Sequence, residues 1–154
     1  MSEIDKIDRK IIDFLCEDGR MSSAEIARAL GCVSERAVRY RIDHLIKEGI
    51  IKVSAIVNPK ALGYHIVADV WLEVESGLIA EIARQLICLD SISYVAYDIG
   101  KTDLSIQIIA RDTEEVHSLI TEVIGKIPGV RKTTTSIVPV ILKDVYQWRV
   151  PSDK

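Results

Sequence analysis

Cysteine is too scarce and too scattered in this chain to build a scaffold: Cys16, Cys32 and Cys88 are odd in number and far apart. A disulfide framework needs pairs and an oxidising compartment, and a zinc site needs closer spacing such as C-x-x-C. Flanked by apolar residues, the three are expected to be buried, reduced thiols in a cytoplasmic protein. Excess positive charge is missing too. Lys and Arg number 20 against 23 Asp and Glu, a formal charge of −3, which is not the footprint of a coat that covers nucleic acid indiscriminately. No uncharged apolar run approaches the length of a membrane span. The opening residues, MSEIDKIDRK, are charged and begin a helix, so no secretory leader is expected. His44, His65 and His117 fall on three separate segments without metal-ligand spacing, which places them at the surface or its rim. There is no G-x-S-x-G, P-loop or Rossmann glycine pattern. The adjacent acids Glu114 and Glu115 open a helix, where they complement its dipole. No catalytic residue, metal or cofactor is indicated, and no segment is of low complexity.

What is present is a foldable composition, 48% hydrophobic and 28% charged over 154 residues, enough for one ordinary domain or two small ones. Charge is unevenly shared. Residues 1–56 carry ten cations and ten acids, whereas residues 57–154 carry ten against thirteen. Any contact with DNA must therefore come from a local basic face on the first part.

Ile4, Ile7, Ile11, Ile12, Phe14 and Leu15 recur at helical spacing and predict a helix over 4–17. Ser22 followed by Glu25 fits a capping box, and Ile26, Ala27 and Leu30 continue an apolar stripe to Gly31, suited to a left-handed helix end. A third helix is expected from the cap Ser34 to Glu48. Short extended pieces at 50–53 and 55–57 would form the two strands of a wing. Asn58-Pro59 breaks the chain, and 59–64 reads as a linker. From His65 the period becomes two: Ile66, Ala68, Val70, Leu72 and Val74 alternate along one strand face. A helix over 77–89, strands over 93–99 and 104–110, a helix over 113–126 capped by Thr113, and a strand over 130–142 follow. The fold class is thus α+β. An N-terminal winged helix-turn-helix (1–58) and a linker (59–64) precede a ferredoxin-like βαββαβ domain (65–154), an antiparallel sheet with helices on one face.

The third helix carries the DNA-binding signal. With Val38 at the centre of its inward side, Ile42, Leu45 and Ile46 share the apolar stripe, while Arg36, Tyr40, Asp43 and Lys47 fall opposite. An arginine fork can take guanine O6 and N7 together, and its fixed charge attracts phosphate. Arg36 and Tyr40 are expected to reach bases, and Arg39, Arg41 and Lys47 the backbone. Ser34 is expected to give its hydroxyl to a phosphate at the helix start. A solvated face of a small helical bundle would also explain three arginines in six residues; the preceding helix, the turn and the wing favour DNA.

Three stretches together resemble the Lrp/AsnC (feast/famine) transcriptional regulators: IDRKIIDFLCEDGRMSSAEIARALG, VSERAVRYRIDHLIKEGIIK and VAYDIGKTDLSIQI. The resemblance spans 4–142. It implies a regulator of transcription, not an enzyme, with double-stranded DNA as partner. It also implies a sensing domain that pairs through its sheet into homodimers, which assemble further into tetramers or octamers. Its effectors are usually amino acids, bound near the loop equivalent to Gly100–Asp103. Carried over, the candidate effector contacts are Tyr97, Asp98, Gly100, Thr102 and Asp103, with Thr134 and Ser136 weaker. A glycine admits a ligand close to backbone, free N–H groups suit a carboxylate, and Asp98 or Asp103 suits an ammonium. A plain hairpin turn would place the same residues there. Two alternatives share the layout. One is an architectural DNA-binding protein without an effector. The other is a sirohaem-decarboxylase-like enzyme, which needs a histidine and arginine cluster that the strand-loop region lacks.

Overall fold

The computed structural model describes residues 4–151, which form two compact units. Of these, the first comprises residues 4–56 together with 143–151, and the second residues 57–142.

In the first unit, α1 (Lys6–Glu17), α2 (Ser23–Leu30) and α3 (Glu35–Lys47) enclose a small core of Ile11, Ile12, Ile26, Val38 and Leu45. Each buried aliphatic contributes about 1.5–3 kcal/mol over leaving it exposed. The helix ends follow capping chemistry. Asp5 and Asp8 form a reciprocal box at α1, Ser22 and Glu25 another at α2, and Gly31 closes α2 in the left-handed region. The turn between α2 and α3 is therefore short and fixed at both ends.

The wing is a correction. Residues 51–58 pair in no strand, and Val53, Ile56 and Val57 are exposed. Only Ser54 separates the two expected pieces, too little chain to reverse direction, and an isolated hairpin that short would be marginal. The tail, expected with the sheet domain, packs in the first unit. Val150 packs on the helical core, Arg9 Nη1 donates to the Pro151 carbonyl at 2.7 Å, and Arg149 Nη2 to the Cys16 carbonyl at 3.1 Å. Residues 143–151 thus pack within the helical unit.

In the second unit, Asn58 caps a 3-10 turn at Pro59–Leu62 where a linker was expected. Then come β1 (Ile66–Val74), α4 (Ile79–Ile87), β2 (Ile92–Tyr97), β3 (Leu104–Ala110), α5 (Thr113–Ser118) and β4 (Val130–Val138). A π-helical turn and a 3-10 turn extend α5 to Lys126. The sheet order is β2-β3-β1-β4, antiparallel throughout, the expected split arrangement. Ala68, Val70, Leu72 and Val74 of β1 and Leu104, Ile106, Ile108 and Ala110 of β3 face Ile82, Ala83, Leu86, Val116 and Ile124 of the helical layer. The other face carries Asp69, Trp71, Ser105, Gln107, Thr134 and Ser136, with no helix of this unit over it. At Gly129 (φ +92°) a Cβ would stand 2.5 Å from Leu78 Cδ1, so only glycine lets the turn into β4 pack on the start of α4.

Three smaller expectations change. Asp112, not Thr113, caps α5, its carboxylate accepting from the Glu115 N–H. Strand β4 stops at Val138 because Pro139 has no N–H to give. All three cysteines are exposed: Cys16 lies in the last turn of α1, Cys32 in the turn after Gly31, and Cys88 caps the end of α4. Apolar neighbours in sequence do not decide which way a residue at an element's end will face.

Candidate nucleic-acid interface and effector loop

Helix α3 begins at Ser34, whose hydroxyl oxygen accepts the Ala37 N–H at 3.2 Å and keeps its own hydrogen to donate. Val38 and Leu45 are fully buried, so the helix can show only one face outward. Arg36, Tyr40, Asp43 and Lys47 lie on it, all exposed. Tyr40 is 73% exposed, and its ring stacks along the His44 imidazole with centroids 6.5 Å apart and planes 5° from parallel. Ile46, assigned to the inward stripe, is 45% exposed.

The three arginines beyond the N-cap differ sharply. Arg36 makes no ion pair among the described residues. Arg39 Nη2 meets Glu35 Oε1 at 2.7 Å on the open surface, a pair worth well under about 1 kcal/mol that a phosphate can displace. Arg41 turns toward α1. Its Nη1 donates to Asp5 Oδ2 at 2.7 Å and to Asp8 Oδ1 at 2.8 Å, with only 29% of its side chain exposed. These contacts hold the guanidinium firmly protonated, Asp8 contributing most. The Asp8 N–H, then the Arg41 guanidinium and the Ile7 N–H, outweigh desolvation and lower the Asp5 carboxyl. Arg41, expected on the DNA backbone, is therefore engaged inside its own domain. Asp5 and Asp8 were missed because the pairing depends on a contact 36 residues away in sequence.

The loop joining β2 to β3 is held from within. Asp98 N–H donates to the Asp103 carbonyl at 3.0 Å, closing the hairpin. The Asp98 carboxylate accepts the Thr102 hydroxyl at 2.9 Å and the Ser105 hydroxyl at 2.7 Å. Asp103 accepts the Val74 N–H at 2.8 Å and donates its own N–H to the Leu72 carbonyl at 2.9 Å. Both acids thus shape the loop. Tyr97 is 64% exposed, and Gly100 takes φ +156° with open space where a Cβ would stand.

Thr134 and Ser136 lie on the helix-free face opposite Trp71 and Asp69. Strand β1 separates them from Ser105 and Gln107 on β3, roughly 10 Å across two strand spacings. Within this unit they share a face with the start of β3 without joining the loop. Ser105 escaped the sequence reading, although its alternation with buried Leu104 and Ile106 was visible. Among the described residues no group of His, Cys, Asp and Glu could hold a metal ion, and no helix is long and apolar enough to cross a membrane.

Residues 4–46 match the AsnC-type helix-turn-helix domain, and residues 67–147 the Lrp/AsnC ligand binding domain. An uncharacterized HTH-type transcriptional regulator of Pyrococcus abyssi is 38% identical over 95% of this chain and 90% of its own. Among solved structures, E. coli AsnC superposes with a TM-score of 0.85 at 26% identity, covering 94% of this chain and 99% of that one. A Neisseria meningitidis transcriptional regulator solved as its L-Met complex gives a TM-score of 0.86 at 20% identity, covering 92% and 94%. The chain belongs to the Lrp/AsnC family. It is a DNA-binding transcriptional regulator with a ligand-binding domain, and not an enzyme.

Proposed function

We propose that this regulator is cytoplasmic, reads a specific DNA sequence through α3, and responds to a small molecule, an amino acid. The observation that carries the first part is the exposed Arg36–Tyr40 face, held outward by the burial of Val38 and Leu45 behind it. Arg36 and Tyr40 contact base edges. Arg39, once it leaves Glu35, and Lys47 neutralise phosphates, and Ser34 donates to one at the helix start. Arg41 is withdrawn from that set.

The effector part is supported by the ligand-binding domain and by the loop. Gly100 leaves backbone open beside exposed Tyr97, and Asp98 fixes Thr102. Asp98 and Asp103 act first as supports of that loop, and Thr134 and Ser136 lie on the same sheet face as Ser105, across β1 from it. The Neisseria protein, solved with L-methionine, speaks for the fold alone at its identity. The helix-free face, with half-buried Trp71 at its centre, is the surface through which we place homodimers, the unit of further assembly into tetramers or octamers.

Two measurements test this. In a selection from random duplexes, Arg36→Ala should flatten base preference at one position, a loss of about 1–3 kcal/mol of discrimination; an unchanged preference removes Arg36 from the readers. A thermal-shift screen of the twenty amino acids should show one that stabilises by roughly 2.7 kcal/mol at a hundred times its dissociation constant. No shift with any of them favours an architectural protein.

A further inference from the structure

The first turn of α1 and the middle of α3 share one hydrogen-bonded device. Asp5 spends Oδ1 on the Ile7 and Asp8 N–H groups, both at 2.8 Å, and Asp8 spends Oδ2 on the Asp5 N–H at 3.1 Å. That is the reciprocal capping box of α1. The two oxygens left over, Asp5 Oδ2 and Asp8 Oδ1, both receive Nη1 of Arg41. One guanidinium nitrogen thereby reads whether the cap is formed. Asp8 is only 15% exposed, so its pair is better shielded than an open surface pair. At 100° per residue, Arg41 stands about 140° around α3 from Arg36 and about 100° from Tyr40. It occupies the flank between the buried stripe and the outward face, where a tether resists rotation of the helix about its axis.

We propose that Arg41, held by Asp5 and Asp8, is a positioning residue that sets the azimuth of the Arg36–Tyr40 face, and is not a phosphate ligand. This rests on the reading of α3 as the recognition helix. A buried stripe of Val38, half-buried Ile42 and Leu45 permits small rotations, because aliphatic contacts are not directional. The bridged guanidinium is directional, and it fixes one flank of the helix, about 100° around the axis from Tyr40.

The experiment compares the full chain with Arg41→Gln, Arg41→Lys, Asp8→Asn and Arg36→Ala. Each is titrated on a duplex selected by the native protein and on a scrambled duplex, over a salt series and well below every unfolding midpoint. Arg41→Gln should lower the preference for the selected duplex by about tenfold, the low end of what a misplaced base contact costs. Its slope of log affinity against log salt should match that of the native protein. Asp8→Asn should reproduce the loss although it removes a negative charge, and Arg41→Lys should restore much of the preference. A slope reduced by about 0.9 for Arg41→Gln would make Arg41 a phosphate contact and overturn the proposal. A lowered melting point with preference intact would also overturn it, leaving only a scaffold pair. Arg36→Ala separates the two levels. If it loses preference while Arg41→Gln does not, the tether fails and the recognition helix stands. If the native chain itself prefers no duplex, the recognition reading fails and the tether with it.

Discussion

Asp103 offers a sharp test of how the effector loop is built, because its carboxylate can be either a ligand group or a brace. The Val74 N–H it accepts at 2.8 Å belongs to a residue with no exposed surface, at a register shift where β1 leaves the β4 ladder. Replacing Asp103 with Ala strips the acceptor from a buried donor, which costs about 2 kcal/mol. Asp103→Asn keeps a carbonyl oxygen in the same place but loses the charge. Charged bonds are roughly twice as strong as neutral ones, so Asn should recover about half. In urea, with a slope of about 1–3 kcal/mol per molar, the Ala variant's midpoint should drop by about 1 M and the Asn variant's by about half as much. Amino-acid binding, measured by thermal shift on the same samples, should survive in Asn. The brace would be refuted by an Ala variant as stable as the parent that no longer binds any amino acid. Asn and Ala falling together in stability would also refute it.

Gly129→Ala should destabilise the sheet unit by about 2 kcal/mol. Its φ of +92° disfavours a side chain, and the new Cβ would meet Leu78 Cδ1 at 2.5 Å; a denaturation midpoint unchanged within error would show that Leu78 simply moves aside. The carboxyls of Asp5 and Glu25 are both held below their ordinary values, Asp5 first by the Asp8 N–H and Glu25 first by the Ser22 hydroxyl. A depressed folded value means stability that is present above the unfolded value and lost as pH falls through the folded one. The melting point of Asp5→Asn/Glu25→Gln should therefore fall less than the parent's between pH 5 and pH 2; equal acid sensitivity would deny these caps a role in acid unfolding.

Much of the architecture was legible because it rests on local rules. Ser22 with Glu25, Ser34 and Gly31 announced the helix ends, and the alternation from Ile66 to Val74 announced the central strand. What failed was local evidence asked to settle a non-local question. The wing segments have strand-like composition but no partner in reach. Cys16, Cys32 and Cys88 have apolar neighbours but face out. Arg41 has the residue type of a phosphate ligand, yet two carboxylates from another helix hold it.

The candidate site divides along the same line. The periodicity of α3 alone determined that Arg36, Tyr40 and Lys47 would share an outward face, since a helix with Val38 and Leu45 buried has only one other side to show. That Asp98 and Asp103 brace their loop, that Thr134 and Ser136 lie across the sheet from it, and that residues 143–151 rejoin the helices were decided only in three dimensions. Helical phase is set by the backbone within a few residues. Ion pairs, strand register and tail docking are set by whichever distant groups the folded chain brings within about 3 Å of one another.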